Sequence, residues 1–460
     1  MRGLCVAALL GALFISSMPA VARAGNSDEV NAGLDVTLTG GAVVANVYTG
    51  AALWYNPAGL ARSDKPSLEL TGVTLQIQIL KNPGLITIDS MPQSVSEGSG
   101  VNFAVIPQAL VFTVKLKGDK MKLGIGLFNS SIRRAFLTEE ATSPASDSPV
   151  VQAFAGRNSR LDFFHISSGL AGRLGAHRKQ KVQLGGAFDL VIASSRVDDS
   201  YTLFYDGGVA GQASSGRVET KTGFGFQLKG GVQWMPIPVV RIGLAVTSPS
   251  YVFVALERMA TQYNQSPGDT DPVPTGGEQF AQGSEGRGGR GVWWGVEPGN
   301  LRFGVAYVSK WGWIEGDIVY YFRLRESELG LDLRGFFNGR IGTAFRVTKN
   351  IQLGLGLFTD FSQVDELATA PLATAKIDFF GVHLGFLYSN LEVDPDREVK
   401  SEKTDGLGFS LAVGLRYAHG RGDTIGLLIP DQYDPANLQQ VAVATKVNEI
   451  SINLAVKVAF

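Results

Sequence analysis

The feature that most constrains this chain is a two-residue alternation of polarity that recurs from about residue 66 to the C-terminus. Val240, Ile242, Leu244 and Val246 share one face; Arg241, Gly243, Ala245 and Thr247 share the other. The last segment repeats the pattern, with Ile450, Ile452, Leu454, Val456, Val458 and Phe460 against Ser451, Asn453, Ala455, Lys457 and Ala459. Residues 351–357 and 407–416 do the same. Successive side chains of a strand face opposite sides, so this is the texture of β-structure. A soluble sandwich alternates as well. Size separates the two cases. Here the bulky apolar face carries almost no charge, and Gly, Ala and the charged residues sit together on the other face. A soluble strand would bury its bulk and place its charge outside. The pattern suits a closed barrel with lipid against the bulky face and a partly filled lumen against the small one.

Strands are predicted at 67–79, 102–116, 120–133, 159–175, 180–195, 222–235, 239–254, 301–309, 313–324, 339–347, 350–361, 374–389, 406–420 and 448–460. That is about 14, an even number, as single-chain outer-membrane barrels have. The connections alternate in length. Lys117-Gly118-Asp119, 176–179, Pro236-Ile237-Pro238, Lys310-Trp311-Gly312 and Thr348-Lys349 are short. The stretches 80–101, 134–158, 196–221, 255–300, 325–338, 362–373 and 421–447 are long and polar. Short periplasmic turns facing long external loops have this rhythm. The charged turn 390–405 breaks it. Trp234, Trp311 and Trp313 flank short turns, where an aromatic girdle would meet the membrane interface. The terminal Phe460 matches the C-terminal signal read by the barrel assembly machinery.

The N-terminus sets the compartment. Arg2, the apolar run from Leu4 to Ile15 and Ala22-Arg23-Ala24 form a secretory signal peptide over 1–24. The run is too short for a membrane helix, which needs about 20 apolar residues. The single cysteine, Cys5, lies within it, so the exported chain has no thiol and no disulfide. A net charge of −1 implies no nucleic-acid partner. The four histidines, His165, His177, His383 and His419, lack metal spacing. Asp269 and Asp271 are too few for calcium, and Gly286–Gly291 reads as a flexible external loop rather than a phosphate loop. No metal and no cofactor is expected.

Residues 25–65 do not alternate and are rich in small residues, which suggests a compact, partly helical plug. Its run Ala52-Leu53-Trp54-Tyr55-Asn56-Pro57-Ala58-Gly59-Leu60-Ala61 resembles the hatch motif of the long-chain fatty acid transporter (FadL) family. Thr222-Gly223-Phe224-Gly225-Phe226-Gln227 and Arg241–Ser248 resemble that family's central hairpin. The family often carries an acidic residue and a Ser before the hatch motif, where this chain has Asn46-Val47-Tyr48-Thr49-Gly50. The resemblance implies an all-β fold: an antiparallel up-and-down barrel over 66–460 with a hatch over 25–65 in its lumen. It further implies a monomer in the outer membrane of a Gram-negative bacterium, in contact with lipid and lipopolysaccharide. Its function would be uptake of hydrophobic molecules such as long-chain fatty acids. Capture at the outer loops, hatch movement and passage through the barrel, with a sideways exit, are the implied steps. By the motif match, Asn56, Pro57 and Ala58 sit at the moving hatch.

A carboxylate ligand needs a lumenal cation. Parity places Arg241, Arg340, Arg346, Arg416 and Lys457 on the inner face, and Arg340 and Arg416 lie toward the external ends of their strands. These two are the candidate ligand residues; the competing reading pairs them with lumenal carboxylates such as Asp35 or Asp189. Two other functions compete with transport. One is a barrel that serves as a scaffold or secretion partner. The other is a lipid hydrolase, since such enzymes set His and Ser two apart before Asn-Gly, as in His165 and Ser167. Here Ser168 replaces the Asn, and parity turns both residues away from lipid. The chain is therefore expected not to be an enzyme.

Overall fold

The computed structural model describes residues 32–460 apart from 63–64, 84–85, 89–96, 117–120, 143–149, 175–180, 206–210, 266–292, 295–296, 327–330, 365–374, 391–406 and 430–438. The expected signal peptide, Asp269, Asp271, the Gly286–Gly291 loop and nearly all of 390–405 lie outside the described residues.

The chain forms a closed antiparallel barrel of 14 strands. They are β1 (Ser67–Pro83), β2 (Glu97–Lys115), β3 (Met121–Thr142), β4 (Val150–Leu174), β5 (Lys181–Tyr205), β6 (Gly211–Ile237), β7 (Val240–Thr247, continuing as Tyr251–Gln265), β8 (Asn300–Ser309), β9 (Gly312–Tyr321), β10 (Phe336–Arg346), β11 (Ile351–Asp360), β12 (Ala375–Ser389), β13 (Gly408–Ile429) and β14 (Gln439–Ala459). Each strand pairs with its sequence neighbour, and β1 pairs with β14 from Ser67↔Ala459 to Lys81↔Lys446. Ring closure leaves no long unpaired edge, which a membrane interior demands.

The polarity of the wall is inverted relative to a soluble protein. Leu170, Leu228, Leu244, Leu355 and Leu384 face outward and are exposed. Asp189, Lys229, Arg241, Glu315 and Asp317 face inward and are buried. A continuous apolar belt of this kind would be an aggregation surface in water and is a solvated surface in lipid. The sequence parity holds at the disputed strand, where Phe164 and Ile166 are exposed while His165 and Ser167 are fully buried.

Three expectations need correction. Many strands run further than their apolar alternation. β4, β5 and β6 contain 25, 25 and 27 residues, where crossing a bilayer takes about 10. Much of the predicted loops 134–158 and 196–221 is therefore strand beyond the membrane, and its polar composition hid it. Second, Trp313 does not join the girdle. It is 5% exposed and packs inward, against 41% for Trp234 and 43% for Trp311. Trp311 belongs to the hairpin turn, whereas Trp313 shares strand parity with the inward Glu315 and Asp317. Third, the seventh strand is broken at Ser248-Pro249-Ser250 rather than continuous over 239–254.

The apolar core sits inside the barrel, within the lumen. Helix α1 (Leu34–Thr39), helix α2 (Ala52–Tyr55) and a 3₁₀ turn (Pro57–Arg62) bring Val36, Leu38, Val47, Leu53 and Leu60 together. Inward Ala109, Ala171, Ala344, Ala412 and Ala455 complete that cluster. Small wall residues are needed because hatch backbone lies directly on the wall. A Cβ at Gly185 would collide with the Pro57–Ala58 peptide, and one at Gly243 with Val44 O.

Candidate functional site: the hatch seat and the charged lumen

A short, irregular plug leaves many backbone groups without helix or sheet partners, and buried ones must find others. The wall supplies them by charge. Glu69 on β1 accepts from Leu34 N at 2.7 Å and Gly50 N at 2.7 Å. Asp317 on β9 accepts from Val43 N at 2.7 Å and Val44 N at 3.0 Å, and Glu315 accepts from Ala45 N at 2.5 Å. Hatch carbonyls receive wall donors instead. His383 Nε2 donates to Thr37 O at 2.7 Å, Gln233 Nε2 to Val47 O at 3.1 Å, and Arg173 Nε to Ala61 O at 2.9 Å. The bonds to Glu69, Glu315 and Asp317 and from Arg173 are charge-assisted, and such bonds are about twice as strong as neutral ones.

The motif residues hold the centre of the seat. Asn56 Nδ2 donates to Val44 O at 2.8 Å and to Val232 O on β6 at 3.1 Å. Its Oδ1 accepts from Ala58 N at 3.2 Å, closing the turn through Pro57. All three residues are fully buried. Within the hatch, burial and the adjacent Glu69 raise the Asp35 carboxyl from 3.8 to about 6, partly offset by bonds from Tyr48 N and Thr49 Oγ1 and by the charge of Lys457.

Beyond the hatch, toward the long loops, lies a buried polar cluster. His165 Nδ1 is 3.3 Å from Asp189 Oδ2, and His165 Nε2 is 3.2 Å from Glu297 Oε1. Ser130 Oγ lies 3.3 Å from the same Nε2 and donates to Glu297 at 3.2 Å. Lys229 Nζ pairs with Asp189 at 2.5 Å and stands 3.8 Å from the centre of the Trp54 ring. Trp54 also meets His165 edge-on at 4.8 Å. A cavity of about 30 Å³ separates Trp54 from Glu297, Pro298, Asn300, Arg302 and Tyr321. It has room for about one or two waters and for no apolar ligand.

Ser130, His165 and Asp189 follow the order of a nucleophile, base and orienting acid. They do not form an active site. Glu297 occupies the position a substrate would need beside Nε2, and all three side chains are buried beneath it. Ser167, the hydroxyl that sequence spacing suggested, is not the one that meets His165. Among the described residues no cluster of His, Cys, Asp and Glu could hold a metal ion.

The two candidate arginines both face inward, as parity required, and both have protein partners. Arg340 Nη1 donates to Gly41 O of the hatch at 3.3 Å. Arg416 pairs with Glu449 at 3.2 Å and lies over the Phe358 ring at 4.3 Å. Sequence reasoning missed Glu69, Glu315, Asp317, Lys229 and Glu297. The first four carried a legible signal, a charge at an inward position of an otherwise apolar alternation. Glu297 carried none, because it lies in a stretch that reads as loop.

No family model matches the sequence, and no curated protein is detectably similar to it in sequence. Solved structures do match. A Pseudomonas aeruginosa FadL homologue superposes with a TM-score of 0.55 at 12% identity, covering 96% of this chain and 100% of the other. This chain has the FadL fold. The Ralstonia pickettii toluene transporter TbuX shares that fold, with a TM-score of 0.52 at 13% identity over 94% of this chain and 99% of its own. So does the P. putida toluene transporter TodX, with a TM-score of 0.50 at 16% identity over 94% and 99%. The resemblance of the hatch motif and central hairpin to the FadL family is thus matched by a FadL fold spanning nearly the whole chain.

Proposed function

We propose that this chain admits hydrophobic small molecules across the outer membrane, by movement of the hatch around Asn56, Pro57 and Ala58. The observation that carries this reading is the seat itself. A lipid-facing barrel holds in its lumen a plug that hydrogen bonds tie to β1, β4, β6, β9 and β12. The wall residues that meet the hatch are mostly small, so the polar bonds fix where it sits and their exchange would let it shift. The toluene transporters that share the fold favour an apolar cargo. An apolar solute crosses the polar outer leaflet slowly, and an apolar route lowers that barrier.

Arg416 supports a carboxylate-bearing cargo better than Arg340 does. It borders the apolar cluster of Phe358, Ile377, Phe379, Ala418 and Val447, so a cation and a greasy wall lie side by side. Arg340 is committed to the hatch at Gly41.

The test is uptake by cells that lack their own transporter, comparing oleate with toluene. Expression should restore uptake of at least one, and Arg416→Ala should depress oleate uptake at least about fivefold while sparing toluene. A correctly inserted barrel that restores neither would overturn the transport reading, and equal effects on both cargoes would remove Arg416 from the ligand site.

A further inference from the structure

The outward face of β13 changes chemistry part-way along its length. Phe409, Val413, Leu415 and Tyr417 are exposed and present an apolar surface. His419, Arg421 and Asp423 follow on the same face. A tilted strand crosses the hydrocarbon in about 9–11 residues, so a crossing that begins at Phe409 ends close to His419. Phe380 on β12, 57% exposed, stands opposite His419 and marks the same level. Arg421 is therefore the first outward charge on β13 beyond the hydrocarbon, on the side of the long loops.

A chain of side chains holds Arg421 in place. Its Nε donates to His419 Nε2 at 3.1 Å, and His419 Nδ1 donates to Asn448 Oδ1 on β14 at 2.8 Å. Tyr417 OH donates to the same Oδ1 at 3.0 Å. The chain engages Nε and leaves the terminal nitrogens of the guanidinium for other acceptors. A planar fork of this kind suits the oxygens of a phosphate.

Directly opposite Arg421 in the β13–β14 pair stands Lys446, also exposed. Lys446 is in turn opposite Lys81 on β1. Three cationic residues thus share one register row, roughly 10 Å across at the usual strand spacing. Like charges directly opposite one another destabilise a strand pair. Two carboxylates stand near and are engaged elsewhere. Asp378, opposite Arg421 on β12, accepts from Ser362 N at 3.2 Å on its β11 side. Asp423 lies further out and faces Lys376 across the β12–β13 pair. Among the described residues neither Arg421 nor Lys446 is in an ion pair. An anion from outside the wall is what the row lacks.

We propose that Arg421 and Lys446 bind a phosphate of an outer-leaflet glycolipid, whose acyl chains lie on the apolar belt below Tyr417. The site rests on the placement of the barrel in an outer membrane with its long loops outside, and not on any cargo. The test is retention of lipid A by the full exported chain, folded in detergent, washed and assayed by mass spectrometry. The Arg421→Gln, Lys446→Gln double variant should retain at least about fivefold less lipid A than the wild type. Both side chains are exposed, so it should resist unfolding by cold detergent as the wild type does. A Lys310→Gln, Lys349→Gln control removes two exposed cations at the opposite end of the barrel and should retain as much as the wild type. Wild type and double variant should hold dephosphorylated lipid A equally weakly, and excess inorganic phosphate should not displace lipid A. Equal retention of lipid A by the double variant, or an equal loss in the Lys310, Lys349 control, would overturn the site. Displacement by inorganic phosphate would make free phosphate the ligand and overturn the glycolipid. Failed uptake of both cargoes with the lipid A difference intact would count against the transport reading alone.

Discussion

Asn56 joins three pieces of the molecule: a hatch turn, a second hatch segment and the β6 wall. Its amide donates to two carbonyls, and Val44 O also accepts from Gln233 Nε2 at 3.3 Å, so Asn56→Ala removes two bonds without orphaning that acceptor. At about 1 kcal/mol each, the hatch should lose roughly 2 kcal/mol of docking stability. In planar bilayers the wild-type barrel should be silent and the variant should open intermittently. Asp35 adds a pH term of opposite character to the usual carboxylate. Its folded value, about 6, lies above the ordinary 3.8. Protonation therefore favours the docked hatch, fully below about 3.8 and progressively less as pH rises through about 6. The difference is worth up to about 3 kcal/mol. Asp35→Asn should remove that dependence and strengthen docking at neutral pH, measurable as slower hydrogen exchange at the backbone of α1.

Among the elements, the broken β7 is the one whose local chemistry departs most from its neighbours. Its ladder depends on two hydroxyls, so a Ser248→Ala, Ser250→Ala double variant leaves Leu228 N and Glu297 N without partners. Hydrogen exchange at those two amides should accelerate by about one to two orders of magnitude, with little change in mid-β8, where Leu301–Tyr307 keeps its pairing to Val240–Val246. Equal acceleration along β8 would mean the hydroxyls hold the strand pair rather than the break. This element was half legible. Arg241–Thr247 alternates cleanly, and Pro249 was visible to any reader. The alternation of Tyr251–Val254 nevertheless invites one continuous strand. What sequence could not supply was the partner: Ser250 and Glu297 are separated by 47 residues, and nothing in either stretch names the other.

At the scale of the whole molecule, alternation carried the barrel because lipid and lumen impose opposite demands on alternate residues. It failed where the lipid ends. β4, β5 and β6 continue as polar strands, and without an apolar face their period disappears from the sequence. The wall is consequently uneven, with strands of 25 to 27 residues on one side and of 10 on the β8, β9 and β11 side. The hatch motif was legible through Asn56-Pro57-Ala58, but the groups that seat it were scattered over the wall and recognisable only by inward charge.

That scatter orders the birth of the molecule. Leu34 finds Glu69 at a separation of 35 residues, Val43 finds Asp317 at 274, and Thr37 finds His383 at 346. The hatch precedes every strand of the barrel in the sequence yet is among the last parts that can be satisfied, since contacts this distant must await the strands that provide them. Until β9 and β12 arrive, Val43 N, Val44 N and Thr37 O lack the wall partners that they have in the finished barrel. A cylinder with a missing or misregistered strand would lack part of that set of partners, and its plug would stay loose. The N-terminal segment thus doubles as an inspector of the finished wall, settling into place only when the ring around it is whole.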